Sequence, residues 1–172
     1  YMTTINATPS SSQDKYLDPR LIELPTTGQM YGSKSTLNLE SVLSSGAQAV
    51  IDLGDKKDNI AADLDALQRQ IGMPVIFIEA DLPHMAEAYR TLGKVLSGKE
   101  ARGEELAAFV EETVSMAEEN AAKIQDAERI SVLYTSGSSG LNTNAKGSIQ
   151  AQVLDLMGIE NAAVVEDVSN KG

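Results

Sequence analysis

The stretch Asn59-Ile60-Ala61-Ala62-Asp63-Leu64-Asp65-Ala66-Leu67-Gln68-Arg69-Gln70-Ile71-Gly72, running on through Met73 into Pro74-Val75-Ile76-Phe77-Ile78-Glu79, decides the fold. Ile60, Leu64, Leu67 and Ile71 recur at four-, three- and four-residue steps, which puts them on one face of a helix. Gly72 stands where a C-terminal cap belongs. The apolar run after Pro74 has no polar alternation and suits a strand of a parallel sheet. Upstream, Asn38 is an N-cap for a helix with Leu39, Val42 and Leu43 on one face, ended by Gly46. Gln48-Ala49-Val50-Ile51-Asp52-Leu53-Gly54 then reads as a buried strand. Helix, strand, helix, strand in this order predicts an α/β fold.

The pattern restarts beyond residue 128. Ile130 to Tyr134 reads as a strand running into the loop Thr135-Ser136-Gly137-Ser138-Ser139-Gly140. Ser148 to Met157 reads as a helix with Ile149, Val153, Leu156 and Met157 inward, ended by Gly158, and Ala162 to Val165 as one more short strand. Between the halves lies the run Pro83 to Asp126. It carries Met85, Tyr89, Leu92, Val95 and Leu96, breaks at Ser97-Gly98, and resumes with Leu106, Phe109, Val110, Thr113, Met116, Ala117, Ala121 and Ile124. The opposite face holds Glu104, Glu105, Glu111, Glu112, Glu118, Glu119 and Lys123. Pro83 suits a first helical position, where its missing N–H has no helical partner. Unbroken, residues 100–126 would extend about 40 Å at ~1.5 Å per residue, so the run reads as a strut between two lobes. The organisation that follows is a first α/β lobe at 1–81 (partial, by the resemblance described below), an inter-lobe helical segment at 82–127 and the start of a second lobe at 128–172. Before residue 36 the composition is Thr, Ser, Pro and Gly, with a short helix near 13–19 and a short strand at Leu21-Ile22-Glu23-Leu24.

Hydrophobic residues make up 42% of the 172, enough for a core, but aromatics are only 4% and there is no Trp, so that core is aliphatic. The net charge of −11 argues against a nucleic-acid binder, which needs a basic face. Without cysteine, disulfides, thiolate nucleophiles and cysteine-bound metals are excluded. No apolar run reaches the ~20 residues that cross a bilayer, and no signal peptide is legible.

The candidate chemistry is sparse. The loop Gly140 to Ser148 invites comparison with a phosphate-binding loop, but that motif needs Gly before its Lys and Ser or Thr after it; here Ala145 precedes Lys146 and Gly147 follows. A polar loop capping the next helix through Asn144 or Ser148 fits better. His84, the single histidine, sits beside Pro83 at a helix start, where an exposed or capping role is expected. Asp52, Asp55 and Asp58 are interleaved with Lys56 and Lys57, as in a charged surface loop. Tyr31 and Tyr134 fall in loops at element edges, each able to stack on a ligand or to ligate iron, or to be simply half-buried. No nucleophile–base arrangement stands out.

Asn38-Leu39-Glu40-Ser41-Val42-Leu43 with the strand ending at Gly54, the break Leu92 to Ala101, the strand Val132-Leu133-Tyr134 with its Gly/Ser loop, and Gly147 onward to Gly158-Ile159-Glu160-Asn161 come in an order that resembles class III substrate-binding proteins of ABC importers. The resemblance spans about residues 20 to 165. It implies two Rossmann-like α/β lobes joined by a long helical segment, the first lacking its opening unit and the second truncated. It implies a non-enzymatic receptor for an iron-siderophore, haem or cobalamin, held between lobes and delivered to permease subunits. The ligand-facing loops would be 29–33, the turn after Leu53, 79–82 and 135–144. Within these, Met30, Tyr31, Gly32, Tyr134, Ser136, Ser138, Leu141 and Asn142 are the expected ligand contacts. Glu40 would dock on permease arginines. No resident cofactor, protein-bound metal or catalytic residue is implied. The location would be periplasmic or extracellular, membrane-associated through a signal or anchor outside this chain, and the truncated lobes would be open to self-association. Two rival readings follow from the residues. One is an α/β enzyme acting on a phosphorylated small molecule through the loop 135–140; the other is an interaction protein working through the acidic face of Glu111 and Glu118.

Overall fold

A computed structural model of the chain describes residues 2–7, 13, 15–30, 35–136, 139–140 and 142–163. It is an α/β protein. The helices are α1 (Pro19–Ile22), α2 (Leu39–Ser44), α3 (Ile60–Ile71), α4 (Met85–Val95), α5 (Glu100–Ala121) and α6 (Gln152–Leu156). The strands are β1 (Val50–Gly54), β2 (Val75–Glu79), β3 (Ser131–Val132), β4 (Thr135–Ser136), β5 (Asn142–Thr143) and β6 (Glu160–Asn161). Among the described residues they pair as β1 with β2, β3 with β6 in parallel and β4 with β5 antiparallel. The chain divides into two compact units, residues 1–52, 57–77 and 171–172, and residues 53–56 and 78–170.

In the first unit, Asn38 Oδ1 accepts the backbone N–H of Ser41 at 3.1 Å and starts α2. The apolar face of α3 is buried as its periodicity requires, with Ile60, Leu64, Leu67 and Ile71 all inside and Gly72 as the left-handed C-cap. Val42, Leu67 and Ile71 form the core, and Met30, Leu37, Leu39, Val50, Met73 and Val75 pack on it. The strand pair around α3 is parallel. Val50 N donates to Pro74 O and, at the strand ends that belong to the second unit, Ala80 N donates to Gly54 O, both at 2.9 Å, so the partners advance together along both strands. Leu53 stays 52% exposed, so β1 is half-buried rather than wholly buried.

Residues 19–24 correct the expectation of a strand. Pro19 takes a first-turn position, Asp18 caps through Arg20 N at 3.0 Å, and Pro19–Ile22 is one helical turn. Of the helix expected at 13–19, residues 13 and 15–17 are turn and bend, and among the described residues of that span only Pro19 is helical, as the first residue of α1. A parallel bridge between Ile5 and Thr26 holds the N-terminal segment, with Thr27 buried.

In the second unit the helical run breaks at Ser97-Gly98, as expected, and folds back as a helical hairpin. Ser97 (φ 38°) and Gly98 (φ 74°) are consecutive left-handed residues, which reverse the chain and which only Gly adopts without steric cost. α5 ends at Ala121, giving it about 33 Å at ~1.5 Å per residue. The seam is made of small residues. Ala88, Gly93, Gly103 and Ala107 are buried, and Val110, Val114, Ala117 and Ala121 are half-buried. Of the ridge expected inward, Leu106, Val110, Ala117 and Ala121 are half-buried, whereas Phe109 is 66% and Met116 57% exposed. Arg90 on α4 clasps Glu104 (2.8 and 2.9 Å) and Glu111 (2.7 and 3.0 Å) on α5, forked in the manner of guanidinium–carboxylate pairs. Hydrogen bonds from Arg90 hold both carboxyls below their usual range, and those to Glu104, then Glu111, raise the guanidinium further.

Past α5 the elements shorten. Ile149–Ala151 is a 3-10 turn with Ala151 buried; it leads into α6, where Leu154 is buried. Val153 and Met157, expected inward, are exposed. The last strand lies at Glu160–Asn161, ahead of its expected start at Ala162; residues 164 and 165 fall outside the described set.

Candidate functional site

The described groups with the richest chemistry gather where β2 ends. Glu79 closes the strand, Asp81 caps the 3-10 turn Leu82–His84, and His84 leads into α4. Asp81 Oδ1 accepts the backbone N–H of His84 at 3.2 Å and is in direct hydrogen-bond contact with His84 Nδ1. Glu79 Oε1 lies 3.8 Å from the same ring nitrogen. Gln152, at the start of α6, clamps the loop from 71 residues away. Its Nε2 donates to Asp81 Oδ2 at 3.2 Å, and its Oε1 accepts Leu82 N at 2.9 Å. All four belong to the second unit. Asp81 is the best covered (14% exposed side chain), against 34% for Glu79 and 50% for His84.

These contacts shift both titrations. Burial works to raise the Asp81 carboxyl, but hydrogen bonds from His84 and Gln152 and the imidazolium charge outweigh it and hold the group below the usual carboxylate range. The hydrogen bond to Asp81 raises His84 above its ordinary value, aided by the Asp81 and Glu79 charges and opposed by partial burial and by Lys56. The arrangement is a capped turn in which Asp81 supplies the cap; His84 holds the N-cap position of α4 without a side-chain cap bond and is half-exposed. The spacing Asp81-x-x-His84 was legible as a capping signal; the reach of Gln152 left no trace in sequence.

The expected ligand residues are placed as follows. Met30 packs on the first-unit core. Its loop is closed below by Thr36 N donating to Gln29 O at 2.9 Å and Gln29 N to Thr36 Oγ1 at 3.2 Å. Tyr31 and Gly32 lie outside the described residues, as do Ser138 and Leu141. Tyr134 is half-buried between β3 and β4, and its carbonyl accepts Thr143 Oγ1 at 2.8 Å. The backbone of Ser136 pairs with that of Asn142, which is exposed, at the head of a β-hairpin where a plain loop was expected. Glu40 is exposed on the first turn of α2. Ser148 holds an N-cap position without a side-chain cap bond, and Asn144 serves through its carbonyl, which accepts Asn161 Nδ2 at 2.9 Å. Asn161 is buried and its Oδ1 accepts Ala163 N at 3.0 Å. Arg129 donates to Gly158 O at 2.7 Å. The Gly158-x-Glu160-Asn161 motif is thus a structural tie.

No protein-family model matches the chain, and no curated protein does. Solved structures do. An ABC transporter solute-binding protein from Sulfurospirillum deleyianum aligns over 97% of this chain with a TM-score of 0.81 and 25% identity, using 52% of its own length. The periplasmic haem-binding protein RhuT from Roseiflexus aligns over 90% of this chain and 56% of its own, with a TM-score of 0.61 and 25% identity. IsdE from Staphylococcus aureus, solved with haem, aligns over 97% and 59%, with a TM-score of 0.64 and 20% identity; at that identity it speaks for the fold alone. The chain carries the α/β fold of the ABC-transporter solute-binding proteins and spans about half the length of these relatives. Such proteins bind solutes and are not enzymes. Among the described residues no helix is long and apolar enough to cross a membrane.

Proposed function

We propose that this chain serves the extracytoplasmic receptor of an ABC importer, capturing an iron chelate (siderophore or haem) or cobalamin and delivering it to permease subunits. The observation that carries this reading is the alignment of 97% of the chain with an ABC transporter solute-binding protein at a TM-score of 0.81; the haem-binding neighbour RhuT supports the chelate class. Ligand contacts are assigned to Tyr134, Ser136, Ser138, Leu141 and Asn142 in the second unit and to Met30, Tyr31 and Gly32 in the first. Met30, partly buried against the first-unit core, would meet the ligand from a side chain already held in place. Glu40, exposed beside the N-terminus of α2, is assigned to docking. A carboxylate there meets a permease guanidinium in bidentate geometry, giving orientation more than affinity.

The test is a titration with haem, a hydroxamate and a catecholate ferric siderophore, and cobalamin. It is run on this chain and on the product of the complete gene that encodes it, following tyrosine fluorescence and, for haem, Soret absorbance. Saturable binding without turnover by either protein supports the receptor. Absence of binding by both removes the chelate assignment.

A further inference from the structure

The grouping of Glu79, Asp81 and His84 offers three ligand atoms within 4.8 Å of one another. We infer that Glu79, Asp81 and His84 form a site for a free divalent transition-metal ion of the Zn²⁺ type, held in position by Gln152. One imidazole nitrogen and two carboxylates are a donor set that suits Zn²⁺ and its neighbours better than Mg²⁺ or Ca²⁺, which favour all-oxygen shells. Ligands about 2.0–2.2 Å from a tetrahedral zinc lie roughly 3.3–3.6 Å from one another. The 3.8 Å between Glu79 Oε1 and His84 Nδ1 needs only a small rotation to reach that spacing. The Asp81–His84 pair must open, the ion taking the place of the hydrogen between oxygen and nitrogen.

Two features separate this cluster from an incidental group of surface acids. Asp81 is fixed from both sides. Its Oδ2 accepts Gln152 Nε2, and its Oδ1, held by His84 N, is turned toward the imidazole. Gln152 is itself fixed by accepting Leu82 N. It is a positioning residue of the kind that orients metal-binding carboxylates. The half-exposed His84 ring leaves a hydrated ion a way in and a coordination position for water. Two carboxylates balance the ion's charge. Occupancy would tie the 3-10 turn Leu82–His84 more firmly to α6 within the second unit.

Glu79 and Asp81 lie in the loop 79–82 expected to face the chelate, so binding of the free ion and binding of the chelate are read in separate titrations. The experiment is calorimetric titration of the tag-free chain with Zn²⁺ alone, repeated with Co²⁺ while the visible absorption of a tetrahedral centre is followed. One saturable event per chain is expected. His84→Ala and Glu79→Gln should each weaken it by about a hundredfold or more. Gln152→Ala, which removes only the positioning contact, should weaken it by about 10–100-fold. Circular dichroism confirms that each variant is folded. Glu79 lies outside the helix cap, so Glu79→Gln decides the matter if His84→Ala does not fold. Absence of a saturable event in the parent chain, or binding unchanged in Glu79→Gln, overturns the site.

Discussion

Replacing Gly103 by alanine separates a seam of close backbone contact from an ordinary helix pair. A β-carbon built at Gly103 lies 2.6 Å from the carbonyl oxygen of Tyr89 and 3.2 Å from Gly93 Cα. Ordinary contact begins near 3.4 Å, so α4 and α5 must part locally by 3.4 − 2.6, or 0.8 Å. A gap of that size forfeits roughly a quarter to a half of each affected dispersion contact. The obstructing atoms are backbone, which cannot swing aside as a side-chain tip can. Overpacking of this kind costs about 1–3 kcal/mol, and rigid neighbours place it in the upper part of that range. Alanine also returns about 1 kcal/mol of helix propensity. The net expectation is a destabilisation of about 1–2 kcal/mol. At roughly 2–4 °C per kcal/mol for a chain of this size, the melting temperature falls by about 2–8 °C. Thermal unfolding by circular dichroism reads it, with Ser115→Ala on the exposed face as a near-neutral control. The double variant Gly93→Ala/Gly103→Ala should cost less than the sum of the two, since one separation relieves both clashes. A rise in melting temperature for Gly103→Ala, the result of propensity acting alone, would refute the close-packed hairpin.

The His84–Asp81 pair predicts a bounded pH window. His84 is raised in the fold, so its contribution is complete below its unfolded value near 6.5 and is lost as pH rises through the folded value. Asp81 is depressed, so its contribution is complete above its unfolded value near 3.9 and is lost as pH falls through the folded one. The stability difference between the parent and His84→Gln, followed by thermal unfolding, should therefore be largest between about pH 4 and 6.5 and shrink on either side; a flat difference would contradict the pairing. Gly28→Ala places a β-carbon 2.2 Å from Thr36 O at a φ of +88°. Left-handed strain and clash together should cost about 2 kcal/mol or more, and should speed protease cleavage between residues 28 and 36; unchanged cleavage would count against the closed loop base. Glu40→Arg should leave the melting temperature within about 1–2 °C, as exposed substitutions do, while weakening association with the cognate permease. Unchanged association would remove Glu40 from docking.

Sequence was most informative where large side chains recur at one period inside one element. Ile60, Leu64, Leu67 and Ile71 with Gly72 gave α3 nearly to the residue, and Asn38 marked the start of α2. It misled where small residues carry the packing. In α5 the large residues Phe109 and Met116 dominate any periodicity yet stay exposed, while Gly103, Ala107 and Val114, which the expected ridge left out, are covered alongside its members Leu106, Val110, Ala117 and Ala121. Glycine and alanine add little hydrophobic weight, but they let backbones approach, and that approach sets the seam. Leu21–Leu24 failed for a local reason: Asp18 and Pro19 start a helical turn that apolar content alone does not register. In the candidate site, Asp81 and His84 are three residues apart and readable as a cap, whereas Gln152 meets them only through the tertiary fold. The Gly158-x-Glu160-Asn161 signature was visible as a motif; its work, tying β6 to the carbonyl of Asn144, was not.

The receptor role stands on equilibrium binding of haem, ferric siderophores and cobalamin to this chain and to the full gene product, measured in parallel under the same buffer. Saturable, stoichiometric binding of one of these chelates, recovered unchanged from the protein, is the predicted result. Failure of every chelate to bind either protein, at concentrations where the fold is intact by circular dichroism, would contradict it.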